Sequence, residues 1–155
     1  MKISIAMVVL ICVGVLGAWH TAVGAQPSAA AVAAQGESGA SVWGGVYTAA
    51  QAQRGKELYA TGCVSCHGGD LDGVDEAPAL SGGAFRSNWN GATLGDLYDR
   101  IHKSMPPEAP ERFSAQEGAD ILAFILNCSK MPAGETELPT ETERLKMIRF
   151  DAEKK

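Results

Sequence analysis

Hydrophobic and polar positions along this 155-residue chain predict three helices, and a capping sequence precedes each of them. The clearest helix follows Ser114 and Glu117, which have the spacing of a capping box. Its apolar stripe is wide enough to bury more than half of the helix circumference. The stripe consists of Ala119, Ile121, Leu122, Ala123, Phe124, Ile125 and Leu126.

Two earlier segments have weaker versions of the same pattern. The sequence from Thr48 to Gln51 has the form of a capping box and opens a predicted helix that ends near Tyr59. Thr93 and Asp96 open another, whose apolar residues recur at helical spacing. Residues 68–91, rich in glycine, are predicted to form a loop that a cofactor must order. Because no strand pattern is convincing, we expect an all-α fold.

The chain divides into four predicted segments. Residues 1–25 combine Lys2, an apolar run and small residues, and they predict a signal peptide cleaved after Ala25. Residues 26–41 have few large apolar side chains and predict a flexible leader. Residues 42–138 are enough for one small domain, and residues 139–155 form a charged C-terminal tail that either lies over the domain or stays mobile. If the first segment were not cleaved, it would be a membrane anchor.

The charge balance argues against nucleic acid as a partner. The chain has 13 Lys and Arg against 18 Asp and Glu, and no basic cluster stands out in the sequence. Binding to the phosphate backbone depends on such basic side chains. We therefore expect protein partners.

Cys63, Cys66 and His67 form the sequence C-x-x-C-H, which is typical of attachment sites for c-type haem. Two thiols at this spacing can add to the two vinyl groups of one haem, and the adjacent histidine can bind its iron. A zinc site would need a second ligand pair, and a redox dithiol does not require the histidine. The sequence therefore predicts one haem c bound through Cys63 and Cys66, with His67 as the proximal iron ligand.

Two further cysteines have no place in this motif. Cys12 falls within the predicted signal peptide, and Cys128 lies near the end of the last predicted helix. A lone thiol in an exported protein is either buried and inert or paired with a second chain by a disulfide. For Cys128 we expect the buried, inert state.

From about Val46 to Leu138 the chain resembles class I c-type cytochromes. The resemblance lies in a helix that leads into C-x-x-C-H, then Ala77-Pro78-Ala79-Leu80, then Ser104-Met105-Pro106-Pro107 and a last helix with Ala123-Phe124-Ile125. It implies that the first and last helices cross near Gly55 and Phe124. Softer motifs at residues 47–51, 88–91 and 132–135 are similar to those of small cytochromes that accompany quinoprotein alcohol dehydrogenases.

The same resemblance implies that Met105 is the distal iron ligand. Met105 follows a predicted helix and precedes two prolines, which would stiffen the loop around the sulfur. Met131 also precedes a proline but comes after the last helix, and His102 would instead give a bis-histidine haem. Met105 could also be a core residue that binds nothing.

Three further residues are predicted to complete the haem pocket. The resemblance implies that the Pro78 carbonyl accepts a hydrogen bond from the other ring nitrogen of His67, an interaction that metal-bound histidines commonly make. Arg86 and Trp89 could bind the haem propionates, whose charges are costly to bury unpaired. Trp89 could equally be an ordinary core residue.

These features predict a periplasmic electron carrier that catalyses no reaction of its own. A thioether ligand closes the iron site and raises its potential, which suits electron transfer. The expected partners are a periplasmic dehydrogenase or respiratory complex as donor and an oxidase or another cytochrome as acceptor. Two alternatives stay open: a haem protein with an open sixth site for peroxide or a gas, and a dedicated haem subunit of a multi-subunit dehydrogenase.

Overall fold

The computed structural model describes residues 40–155. The predicted signal peptide, Cys12 and residues 26–39 of the predicted leader lie outside the described residues. The elements in chain order are β1 (Ala40–Ser41), a 3-10 turn (Val42–Gly44), α1 (Ala49–Gly62), α2 (Val64–His67), α3 (Gly82–Trp89), α4 (Leu94–Ser104), α5 (Ala115–Cys128), α6 (Thr142–Leu145) and β2 (Ile148–Arg149). Within this part of the chain, no helix is both long enough and apolar enough to cross a membrane.

The predicted all-α fold is confirmed, with two departures from the predicted elements. Helix α3, at Gly82–Trp89, lies inside the segment predicted to be a loop. The two short strands were not predicted either, and they pair in parallel with Ala40 opposite Ile148 and Ser41 opposite Arg149. The first strand falls at the end of the predicted leader and the second in the C-terminal tail.

The three predicted helices begin where their capping sequences lie. Ser114 and Thr93 each form a complete capping box, in which the side chains of Glu117 and Asp96 return to the cap backbone. At Thr48 only half of the box forms, because the hydroxyl accepts from the Gln51 N–H while the Gln51 side chain points elsewhere. Its amide bonds to both backbone groups of Leu138, at 2.8 and 3.3 Å.

Helices α1 and α5 cross at a glycine. A Cβ added to Gly55 would overlap the backbone carbonyl of Asp120, so only a hydrogen atom fits there. One turn further along α5, Phe124 packs on Tyr59 with ring centroids 5.3 Å apart. The crossing lies near Gly55 and Phe124 as expected, with Asp120 in direct contact with the glycine.

The C-terminal tail packs against the domain, which is the first of the two conformations that the sequence allowed. Leu145 and Phe150 are fully buried, and Ile148 is 9% exposed. On the α4 side, a Cβ at Gly95 would lie 2.9 Å from the backbone of Lys146, so the tail lies directly on that helix. Residues 139–155 therefore contribute to the core of the described domain.

Candidate cofactor site

A largely apolar cavity lies among the C-x-x-C-H segment, helices α3 and α4 and helix α5. It encloses about 960 Å³ of space, part of which is open to solvent. Its lining is mostly apolar with a few polar groups, as in pockets that bind cofactors and small molecules. The residues with chemistry of interest in its lining are Cys63, Cys66, His67, Pro78, Asn88, Trp89, Arg100 and Met105.

The two cysteines of the motif lie at the junction of α1 and α2. Cys63 is half-buried and Cys66 is exposed, and neither forms a disulfide. Burial raises the pKa of the Cys63 thiol to about 11, although the nearby Arg112 acts in the opposite direction. Both sulfurs are therefore available for a covalent bond at the cavity wall.

His67 ends α2 and presents one free ring nitrogen. Its Nδ1 lies 2.8 Å from the carbonyl oxygen of Pro78. Because a carbonyl can only accept a hydrogen bond, Nδ1 must carry the proton, which leaves the lone pair of Nε2 free for a metal. The predicted bond between His67 and Pro78 is therefore present, and it fixes both the tautomer and the ring orientation.

Backbone hydrogen bonds bring Pro78 back to His67. The Gly73 N–H donates to the His67 carbonyl at 3.0 Å, and the Leu80 N–H donates to the Leu71 carbonyl at 2.8 Å. The Tyr59 hydroxyl donates to the carbonyl of Gly68 at 2.7 Å, which ties the start of the loop to α1. Residues 68–80 thus have an ordered conformation of their own.

Of the candidate distal ligands, only Met105 lines the cavity. It is the first residue after α4, and Pro106 and Pro107 after it line the cavity as well. Met131 is 3% exposed and lies outside the cavity. His102 stacks on Tyr98 with ring centroids 5.4 Å apart, and it too is absent from the lining.

The structure places Trp89 in the cavity wall and Arg86 outside it. Successive residues of an α-helix are about 100° apart around its axis, so Arg86 leaves α3 in a different direction from Phe85. Phe85 and Trp89, four residues apart, occupy the side that faces the cavity. The cation in the lining is instead Arg100, one of two polar residues there that the sequence did not single out, the other being Asn88.

Arg100 could have been found from the sequence by its position on the predicted helix. It lies three residues after Leu97 and one before Ile101, both of which are buried and line the cavity. Residues three apart share a helix face. A cation next to an apolar stripe, five residues before the candidate ligand Met105, was therefore a visible signal.

Cys128, the cysteine outside the motif, lies at the end of α5 away from this cavity. It is half-buried, whereas we expected a buried thiol. Burial raises the pKa of its thiol above the ordinary value.

These donor groups fit a haem of the c type. Two free thiols, an imidazole with an available Nε2 and a thioether line one cavity, which otherwise consists mainly of apolar side chains suited to a flat macrocycle. Arg100, Asn88 and the Trp89 indole supply hydrogen-bond donors, which carboxylates such as the haem propionates require.

A protein family and a solved structure are similar to this chain. The family described as cytochrome c oxidase, cbb3-type, subunit III matches residues 50–125, which contain the C-x-x-C-H motif and Met105. The crystal structure of the sulfane dehydrogenase SoxCD from Paracoccus pantotrophus is similar at 23% identity over 84% of this chain and 68% of that chain, with a TM-score of 0.46. No curated protein matches the chain. The helical fold, the motif and the family match together show that this chain belongs to the class I c-type cytochromes.

Proposed function

We propose that this chain is an exported, single-haem electron carrier. In this proposal Cys63 and Cys66 would hold haem c covalently, and His67 and Met105 would bind its iron. The observation that carries the proposal is that these four side chains line one cavity, although Met105 lies far from the motif in sequence. Haem c, when bound, supplies the redox chemistry, since its iron takes up and releases one electron.

The chain's own residues would hold the site in one arrangement. The Pro78 carbonyl fixes the imidazole of His67, so the ligand does not need to reorient when the charge of the site changes. Pro106 and Pro107 restrict the backbone after Met105 in the same way. Apolar side chains around the cavity exclude water and favour the less charged form of the site, which raises its potential.

We propose Arg100, Asn88 and Trp89 as the partners of the propionate carboxylates. All three line the cavity, whereas Arg86 does not. Arginine binds carboxylates with its planar fork of N–H donors, and such charge-assisted bonds are stronger than neutral ones.

We infer a periplasmic location and protein redox partners from the sequence. The predicted signal peptide at residues 1–25 supports export, and in bacteria c-type haem is attached outside the cytoplasm. The proposed donor is a periplasmic dehydrogenase or respiratory complex, and the proposed acceptor is an oxidase or another cytochrome. Contacts between such carriers are small and transient.

A second form of the proposal makes the chain a haem subunit of a larger oxidoreductase. The description of the matched family, which names a subunit of an oxidase, favours this form. Affinity purification of the full chain from its native host separates the two forms. A stoichiometric complex with another redox protein indicates a subunit, and isolation of the chain by itself indicates a free carrier.

The experiment that tests the proposal replaces Met105 in protein matured in the periplasm. The wild type should keep its haem through acid-organic extraction and show the methionine–iron band in its ferric spectrum. Met105→Ala should lose that band, and its midpoint should fall by a substantial part of the roughly 0.8 V that axial ligands span.

Met131→Ala is the matched control, because Met131 is a methionine outside the cavity, and it should keep both the band and the midpoint. An unchanged ferric spectrum in Met105→Ala would contradict the proposed ligand. A wild-type ferrous protein that binds carbon monoxide readily at neutral pH would indicate an open sixth site instead.

A further inference from the structure

The C-terminal strap, residues 139–155, lies outside the part of the chain that matches the cytochrome family. It is nevertheless built into the domain, because Leu145 and Phe150 are completely buried. Neither residue lines the cofactor cavity. The strap can therefore influence the cavity only indirectly, through the residues that it contacts.

Phe150 contacts the cavity wall directly from behind. Its ring meets that of Phe85 edge to face, with centroids 5.7 Å apart and an angle of 85° between the planes. Phe85 in turn packs against Trp89 at 6.4 Å. Both Phe85 and Trp89 line the cavity, so Phe150 forms a second aromatic layer behind the first.

Helix α3, which carries Phe85 and Trp89, has few other anchors. It is eight residues long, and the side chain of Ser81, its N-cap residue, forms no capping hydrogen bond. Phe85 is its only buried residue, and a Cβ at Gly82 or Gly83 would meet nothing within 4 Å. A helix this short is not stable by itself and depends on the burial of its apolar side chain.

The strap is hydrogen-bonded to the segment that directly follows α3. The Phe150 N–H donates to the Ala92 carbonyl and the Gly91 N–H donates to the Phe150 carbonyl, both at 2.8 Å. The Ala152 N–H donates to the Asn90 side chain at 2.9 Å. These bonds hold Phe150 against residues 90–92, which connect α3 to α4.

The other end of the strap is attached to α4. The Thr142 hydroxyl donates to the Asp99 carboxylate at 3.0 Å, and Lys146 lies against Gly95. Helix α4 carries Arg100 and leads to Met105. The strap thus connects the two helices that form neighbouring walls of the cavity.

We infer that the C-terminal strap holds α3 in place as a wall of the cofactor cavity, and that Phe150 is the positioning residue in this contact. The identity of the cofactor rests on the proposed function, but the contact itself does not. Removing the Phe150 ring leaves a void behind Phe85, so α3 should open more often and admit water and small ligands.

The test measures amide hydrogen exchange and ligand entry in the full-length protein as purified. Phe150→Ala should raise the exchange rate of amides in residues 82–91 by about tenfold, the effect of a local opening made 1.4 kcal/mol easier. Cyanide should bind the ferric protein faster by a similar factor, because a loosened wall lets it reach the iron more often.

Leu138→Ala is the matched control. Leu138 is 3% exposed and its backbone bonds to Gln51 of α1. It does not line the cavity, and its hydrogen bonds do not go to α3. This variant should leave exchange in residues 82–91 and cyanide binding close to the wild-type rates. Equal effects of the two substitutions on α3 would overturn the inference.

A milder pair covers the case in which Phe150→Ala does not fold. Phe150→Leu keeps most of the apolar volume but removes the ring contact. It should increase exchange in residues 82–91 by a smaller factor than Phe150→Ala does, whereas Leu138→Val should leave exchange in those residues unchanged. No difference between this pair in residues 82–91 would also overturn the inference. A wild type that lacks covalent haem would contradict the proposed function alone, since the exchange comparison does not require the cofactor.

Discussion

The α1–α5 crossing and the contact between the C-terminal strap and α3 support the same cavity by different physical means. At the crossing, Gly55 lets the α1 backbone touch the backbone of Asp120. At the strap, two aromatic rings meet and a pair of backbone hydrogen bonds aligns them. Backbone contact leaves no room for adjustment, whereas side chains can repack, so the crossing should tolerate change least.

A charge pair reinforces the crossing but not the strap–α3 contact. Asp120 is 3% exposed and accepts two hydrogen bonds from Arg54, at 2.8 and 3.0 Å, and a third from Gln116 at 2.8 Å. The bonds of Arg54 to Asp120, and next its bond to Glu137, raise the pKa of the Arg54 guanidinium above its ordinary value. Burial of a carboxylate is acceptable only when its oxygens are satisfied in this way.

The largest effect is expected from Gly55→Ala, which breaks the crossing. The added methyl group would overlap the Asp120 carbonyl, so we expect a loss of about 3 kcal/mol in the free energy of unfolding. Gly83→Ala is the matched control, because it also lies in a helix but has open space around it. It should stabilise the protein by about 0.5 kcal/mol. Denaturant unfolding followed by circular dichroism measures both, and equal stabilities would contradict backbone contact at the crossing.

Arg54→Ala should have the next largest effect. It leaves the buried Asp120 carboxylate without its cation, but Arg54 itself is 44% exposed and water can partly replace it. We therefore expect a loss of about 2 kcal/mol in the free energy of unfolding. Arg144→Ala removes a pair exposed on both sides, at 3.5 Å from Glu141, and should cost under about 0.5 kcal/mol. A loss for Arg54→Ala no greater than for Arg144→Ala would contradict the claim that the Arg54–Asp120 pair stabilises the crossing.

Asp151→Asn tests the C-terminal strap, because the stabilisation that the Asp151 carboxylate provides should depend on pH. Hydrogen bonds from Arg149 and Ser41 lower the pKa of Asp151 to about 2. An aspartate in an unfolded chain has a pKa near 3.9, so the charged carboxylate stabilises the folded state. This stabilisation is complete above that value and disappears as the pH falls towards 2.

The variant should therefore be less stable than the wild type by about 1 kcal/mol at pH 7, and the difference should close between about pH 4 and pH 2. Thermal unfolding over that range measures the gap. Glu153→Gln, an exposed acid of the same strap without an ion pair among the described residues, should show no such convergence. A gap that stays constant with pH would contradict the role of the Asp151 charge.

The smallest expected effect is a change in the midpoint potential, and it compares two arginines on neighbouring helices. Arg100 of α4 lines the cavity and Arg86 of α3 does not. Removing a positive charge close to the iron favours the more positive oxidised form. Arg100→Gln should therefore lower the midpoint, and Arg86→Gln should lower it less. Potentiometric titration at low ionic strength measures both, and equal shifts would contradict the assignment of Arg100 to the propionates.

Local interactions account for what could be predicted from the sequence. Ser114 and Thr93 begin their helices because their hydroxyls bond to backbone groups three residues away. Cys63, Cys66 and His67 need only the spacing within one short segment. Such interactions require no knowledge of the rest of the chain.

Helix α3 and the cation in the cavity could not be predicted in the same way. Two glycines begin α3 and no side chain caps it, so its local signals favour a loop. It forms because Phe85 is buried against Phe150, which lies in another part of the sequence. The choice between Arg86 and Arg100 likewise depends on how α3 and α4 are rotated about their axes, which packing decides.

The sequence by itself determined the attachment motif, the all-α class and the starts of the three long helices, because each depends on residues within a turn or two. Tertiary structure alone decided that the C-terminal strap belongs to the domain, that α3 is a helix and that Arg100 faces the cavity. The physical reason is that burial supplies most of the stabilising free energy of these features. Burial is a property of contacts between distant segments, and those exist only once the chain has folded.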